Sequence, residues 1–229
     1  MIWHDKWMSQ RSAKSLKENS MFVPTLLAES RAAVLWDLIR QNPLGALVVG
    51  GANQLNANHL PFESVPTANV IRTHISRANE LVSSSNANAL VIFQGPNHYI
   101  SPSWQPGHEK HGRVAPSWNY AVAHIYGRVR LIDEQDWLLS HLDALAEPHE
   151  SMRSNPWQVA SAPPDFVDGL IKRIIGIEIQ VERMIGKSQA CQQYNDATRD
   201  GVVAGLLAEG TSNAALMADV VRGAVKSKT

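Results

Sequence analysis

The feature that most constrains this chain is the long alternation across Asn119–Ile132. Ala121, Ala123, Ile125, Val129 and Leu131 fall on one side, and Tyr120, His124, Tyr126, Arg128 and Arg130 on the other. That period-2 order commits the segment to a half-buried strand. Shorter stretches repeat the theme. Asn69–Ser76 sets Ile71, Thr73 and Ile75 against Arg72, His74 and Ser76, while Leu44–Val49 and Ala89–Phe93 are apolar runs of strand length. Gln54–Phe62 reads as extended, and Ile177, Ile179 and Val181 alternate in a last strand. Gly50-Gly51-Ala52-Asn53 suits a hairpin turn. Gly95-Pro96-Asn97 is expected to turn the chain into His98–Trp104, and residues 105–116, rich in Gly, Pro and charge, read as a loop.

Helical patterns lie mostly towards the ends. Ser30 is placed to cap a helix bearing Val34, Leu35, Leu38 and Ile39, which stops before Pro43. Asp133 is placed to cap a second, carrying Trp137, Leu138, Leu142 and Leu145 and ending near Pro148. Pro163-Pro164 opens a third with Phe166, Leu170, Ile171 and Ile174, and two more span Ala197–Ala208 and Asn213–Val225. Short strands joined by hairpins predict an antiparallel barrel of α+β class. A doubly wound parallel sheet is not expected, because the strands do not alternate regularly with helices. Residues 1–20 read as a mobile extension, 21–185 as the barrel and 186–229 as a helical segment packed on it.

Composition narrows the function classes. At 229 residues the chain can bury a full core without disulfide or metal staples. Its 21 basic and 21 acidic side chains cancel, which argues against direct nucleic-acid binding. The single Cys191 excludes a disulfide framework and reads as a packed, inert thiol. No apolar run reaches the ~18 residues of a membrane span, and the N-terminus lacks a secretory apolar stretch, so a soluble cytoplasmic protein is expected. No phosphate loop, dinucleotide fingerprint, nucleophile elbow or His-Glu-x-x-His occurs.

Three clusters remain. Arg72-Thr-His74-Ile-Ser76-Arg77-Ala-Asn79 offers guanidiniums for bidentate grip of a phosphate, with His74, Ser76 and Asn79 as further donors; the alternative is an ordinary solvated strand face. Ser101-Pro-Ser103-Trp104 and Ser117-Trp118-Asn119-Tyr120 offer indole faces and hydroxyls to a planar heterocycle; the alternative is aromatic packing at strand ends. His108-Glu-Lys-His111 is a His-x-x-His pair without a third ligand at defined spacing, so no metal site is expected.

The order of these segments resembles the PaiB family, FMN-binding negative transcriptional regulators of bacteria. The resemblance runs from Met21-Phe-Val-Pro24 to about Leu207. It includes Asn42-Pro-Leu-Gly45, Asn58-His-Leu-Pro61, His74-Ile-Ser-Arg-Ala-Asn79 and Phe93-Gln-Gly-Pro96. Tyr99-Ile-Ser-Pro-Ser-Trp104, Pro116-Ser-Trp-Asn-Tyr120, Gly176-Ile-Glu-Ile179 and Arg199-Asp-Gly-Val202 continue it. It implies an FMN-binding split β-barrel related to flavin reductases and pyridoxamine-phosphate oxidase, and a homodimer with FMN at the subunit interface. By that resemblance Arg72, His74, Ser76, Arg77 and Asn79 form the phosphate end. Ser101, Ser103, Trp104, Trp118 and Asn119 form the ring end, and His59 helps line the cleft. The chain departs from the family where Gln189-Ala-Cys-Gln-Gln193 replaces Lys-Leu-Ser-Gln-Asn, where Thr198 replaces the Asp before Arg199, and where Glu80 replaces Pro. Each missing hydrogen bond to a charged group would cost about 1.5–3 kcal/mol of ligand affinity.

The resemblance leaves flavin-dependent oxidoreductase and flavin-responsive regulator both open, since no side chain stands out as an acid or base. A regulator without flavin chemistry is the alternative. Only Arg222 precedes Lys226 and Lys228 in the last helical segment, too few cations for a recognition helix. A haem-binding split barrel is a further alternative, with His108 or His111 as the axial candidate.

Overall fold

The computed structural model describes residues 21–50 and 55–224. In chain order the strands and helices are β1 (Ala28–Glu29), α1 (Ala32–Gln41), β2 (Leu44–Gly50), β3 (Leu55–Pro61), β4 (Glu63–Val65), β5 (Val70–Ser76) and β6 (Asn88–Ile100). They continue with α2 (His108–His111), β7 (Ser117–Ile132), α3 (Gln135–Glu150), α4 (Pro164–Ile171), β8 (Ile174–Gln189), α5 (Asp196–Ala208) and α6 (Ser212–Gly223).

The strands form one antiparallel sheet in the order β3-β2-β6-β7-β8-β5-β4, with β1 added to β8. It curls until β3 meets β5, where the buried Thr73 hydroxyl donates to the Pro61 carbonyl at 2.7 Å. The alternations set the core. Ile71, Ile75, Ala123, Ile125, Val129, Ile177 and Ile179 are all buried, with Phe62 and Phe93 packed edge-to-face. The expected α+β barrel is thus present. Helix α1 packs on the barrel where Gly186 and Gly95 leave room for Leu35 and Leu38.

Bulges shape the two longest pairings. Gly95-Pro96-Asn97 is not a turn: β6 runs through it, with a register shift against β7 between Gln94 and Asn97. A bulge absorbs the Pro96 ring and its missing N–H without ending the strand. On β8 the shift falls at Glu182, between the pairs Gly127↔Val181 and Tyr126↔Arg183. The alternation Ile177, Ile179, Val181 therefore changes phase, and β8 continues to Gln189. The boundary expected at residue 185 falls inside this strand.

Local expectations at helix ends were displaced by ion pairs. Arg31, not Ser30, is the N-cap of α1, and its N–H is taken by Glu29 Oε1 at 2.9 Å. Glu134 takes the N-cap position of α3 without a side-chain capping bond, while Asp133 turns to Arg77, and Pro148 lies within the helix. The stretch 105–116 contains the one-turn α2. Residues 1–20 and the expected turn at 51–54 lie outside the described residues, although β2 and β3 pair as a hairpin requires. Among the described residues, no helix is long and apolar enough to cross a membrane.

Candidate functional site

The sheet's outward side gathers most of the candidate residues. Paired positions share a face, so the ladders Tyr99↔Trp118, Asn97↔Tyr120 and Ile92↔His124 put these side chains on one surface, with Arg183, Ile185, Lys187 and Gln189 of β8 beside them. Tyr99 and Trp118 are 44% and 53% exposed, with ring centroids 6.3 Å apart, and Asn97 Oδ1 accepts from Trp118 Nε1 at 3.2 Å. Lys187 Nζ lies 5.3 Å over Tyr120, and the Arg183 guanidinium 4.1 Å over Tyr126. From Gln189 to Arg183, none of the outward β8 side chains or their β7 partners is a carboxylate. This end is therefore aromatic and cationic, a surface complementary to a flat anionic molecule. His124 sits in its middle; burial holds its pKa below the usual range, and its Nδ1 is buried without a partner.

The other end of the same face belongs to β5. Arg72, His74 and Ser76 do share it, but α3 lies across it and their groups are engaged. Arg72 Nε donates to Glu178 at 2.9 Å, and Glu63 lies 3.7 Å from its Nη1. His74 contacts His141 of α3, and Trp137 stands over Gly176. Burial and the His141 charge lower the His74 pKa to about 4, so at neutral pH this ring adds no positive charge for a phosphate. Arg77 is paired with Asp133 and donates to the Lys172 carbonyl at 3.1 Å. Ser76 Oγ accepts from the Ala78 amide, and Asn79 caps a short turn while bonding Asn58. His59 is exposed on edge strand β3.

The expected ring-end residues divide. Trp118 is on the open face, and Ser101 and Ser103 bond each other at 2.7 Å. Asn119 instead points inward: it is 2% exposed, and its Nδ2 contacts Cys191 Sγ at 3.2 Å. Trp104 also serves the interior, lying across Gly201 and Gly205 of α5. Trp104 packs against a second core of Ile100, Ala190, Cys191, Val202, Leu206 and Met217, which joins α5 and α6 to the barrel, and Asn119 reaches it through Cys191. Burial raises the Cys191 pKa, in keeping with an inert thiol.

Within one protomer the two expected ends do not meet. His74 pairs with Gly176, and Tyr120 with Gln189. At about 3.3 Å per residue that separation is roughly 40 Å along β8, beyond the span of one mononucleotide. Lys187 and Arg183 were missed because they follow the bulge. Continuing the period past Glu182 in shifted phase, as Arg183-x-Ile185-x-Lys187-x-Gln189, was the signal that identifies them. Among the described residues, no group of three or more His, Cys, Asp or Glu side chains is placed to hold a metal ion.

Comparison with known proteins agrees with this architecture. A family model described as "Putative FMN-binding domain" matches residues 21–183. An uncharacterized protein of Emericella nidulans is 31% identical over 91% of this chain and its own full length. Protease synthase and sporulation protein PAI 2 of Bacillus subtilis is 28% identical over the same shares, so the relatives include fungal and bacterial proteins. Among solved structures, the FAD and heme binding protein of Mycobacterium smegmatis matches 78% of this chain and 80% of its own, with a TM-score of 0.55 at 16% identity. The flavocytochrome Anf3 of Azotobacter vinelandii matches 71% and 69%, with a TM-score of 0.51 at 12% identity. At such identities the likeness concerns the split-barrel fold. The family model spans the barrel from Met21 through the β8 bulge, and this chain belongs to the PaiB-like family of FMN-binding domains.

Proposed function

We propose that the protein binds FMN as a homodimer, with the flavin between the two copies. The observation that carries this reading is the part of the outward face where Tyr99, Trp118 and Tyr120 stand with Lys187, and Tyr126 with Arg183 beyond them. Such a surface fits a planar ring bearing a phosphate. Gln189 stands where the family reads Lys, yet Lys187 supplies a cation beside it over Tyr120, so the departure leaves this end cationic. Distance supports the homodimer: the Arg77–Asn79 segment and the Tyr99–Trp118 end, which the resemblance assigns to one flavin, lie too far apart within one copy to reach it together. Leu44 and Leu55, 64% and 78% exposed on this face, are apolar surface for a second copy to cover.

Bound FMN would supply hydride and one-electron chemistry. The chain's own part is to bind and orient it, since burial disfavours the charged form of both His124 and His74. The deciding experiment is a visible spectrum and an FMN fluorescence titration, with the mass in solution measured by light scattering. A flavin band near ~450 nm or saturable quenching, in a dimer, is the expected result. A monomer with no quenching rejects the reading, and a Soret band without flavin moves it to haem.

Arg77→Ala is expected to weaken FMN binding by one to two decades, the worth of a charge-assisted hydrogen bond of about 1.5–3 kcal/mol. Unchanged affinity in the same titration would place the phosphate at Lys187 and Arg183 instead.

A further inference from the structure

A chain of polar side chains under α3 is not used by the flavin reading. Glu63 Oε2 of β4 lies 3.0 Å from His141 Nδ1, and His141 Nε2 lies 3.3 Å from His74 Nδ1 on β5. Trp137, one turn earlier on α3, stacks on His141 at 5.0 Å and 25°, with the Arg72 guanidinium 5.6 Å from its ring. His141 is 2% exposed, so water does not substitute for its partners. A gap of 3.3 Å between two ring nitrogens holds one proton. One ring donates and the other accepts, whether the pair is neutral or carries a single charge. A second charge would set N–H against N–H.

We propose that the His74–His141 contact is an acid-opened latch: protonating both rings separates α3 from the β4–β5 hairpin and uncovers the strand face of Arg72 and His74. The surrounding charges leave the second proton uncompensated. Glu63 of β4 and Glu178 of β8 face Arg72 of β5, and Arg130 of β7 also holds Glu178, two carboxylates against two guanidiniums. The other polar ties of α3 and its leading residue are Asp133 to Arg77, just past the end of β5, Asp143 to the Val159 amide, Gln135 to Asp168 of α4, and Glu150 to the Trp157 amide and Arg153. In the closed form burial and His141 hold His74 near 4; freed, it returns towards its ordinary 6.5. Acid is therefore taken up preferentially by the open form. The opening equilibrium should rise on the order of a hundredfold between pH 7 and pH 4.

Hydrogen exchange on the full chain, corrected for the intrinsic pH dependence of exchange, tests the latch without any flavin. Amides of α3 should lose protection by on the order of a hundredfold at pH 4 while those of β7 and β8 keep theirs. His74→Gln, which takes up no second proton, should hold α3 closed at pH 4, and His141→Gln probes the same contact from the helix side. Equal α3 protection at both pH values would overturn the proposal. So would opening at pH 4 in both variants as large as in the parent, or loss of protection by the whole sheet together with the helix.

Discussion

Replacing Gly201 and Gly205 together with alanine should destabilise the protein by about 2 kcal/mol, although both changes favour helix formation. Alanine is preferred to glycine inside a helix by about 1 kcal/mol per position, so propensity alone predicts a gain. The two glycines lie one turn apart on α5, and Trp104 fills the groove they leave. A Cβ on Gly201 would overlap the Trp104 carbonyl oxygen, and one on Gly205 would overlap the indole itself. The first obstacle is backbone and cannot swing away, so the helix must lift. Overpacking of this kind costs roughly 1–3 kcal/mol per site, enough to reverse the sign. The check is the direction of the change in a denaturant melt. A double variant more stable than the parent would show that Trp104 does not seat the helical pair.

Arg199→Met should lower the stability of the α5–α6 unit by about 2–3 kcal/mol. The buried guanidinium donates through Nη2 to the carbonyls of Val221 at 2.6 Å and Ala224 at 3.2 Å, closing the C-terminal end of α6. Those carbonyls have no intrahelical donors, and a thioether cannot replace the arginine. Removing the charge returns part of its desolvation cost, because Nε is already buried without a partner. The orphaned carbonyls outweigh that return. For a chain of this size the melting temperature should fall by roughly 5–10 °C. A variant melting at or above the parent temperature would assign Arg199 a role other than capping.

These two sites show how the helical pair bears on function. Asn119 and Trp104 lie in motifs whose resemblance assigns them to the ring end, yet both are spent on holding α5 and α6 against β6 and β7. Their residue types gave no warning, since amide and indole groups suit a ligand and a buried anchor equally. Trp118, next to Asn119, faces the open surface because successive strand residues point to opposite sides. Similarly, the Arg72–Ser76 alternation was legible, while its cover by α3 was not. That cover depends on Trp137 and His141 meeting β5 across distant stretches of chain.

The sequence by itself determined the strands with regular period, the apolar faces that became the barrel core, and the family, because each is written in local order. The tertiary structure alone decided the rest. It fixed the bulge at Glu182 that turns Arg183 and Lys187 outward, the ion pair that takes Asp133 from its helix, and the distance between the two ends of the outward face. A bulge costs one residue of register and leaves little local mark, and an ion pair forms only when folding brings its partners together. These features depend on contacts between residues far apart in the chain, whose geometry local propensity does not encode.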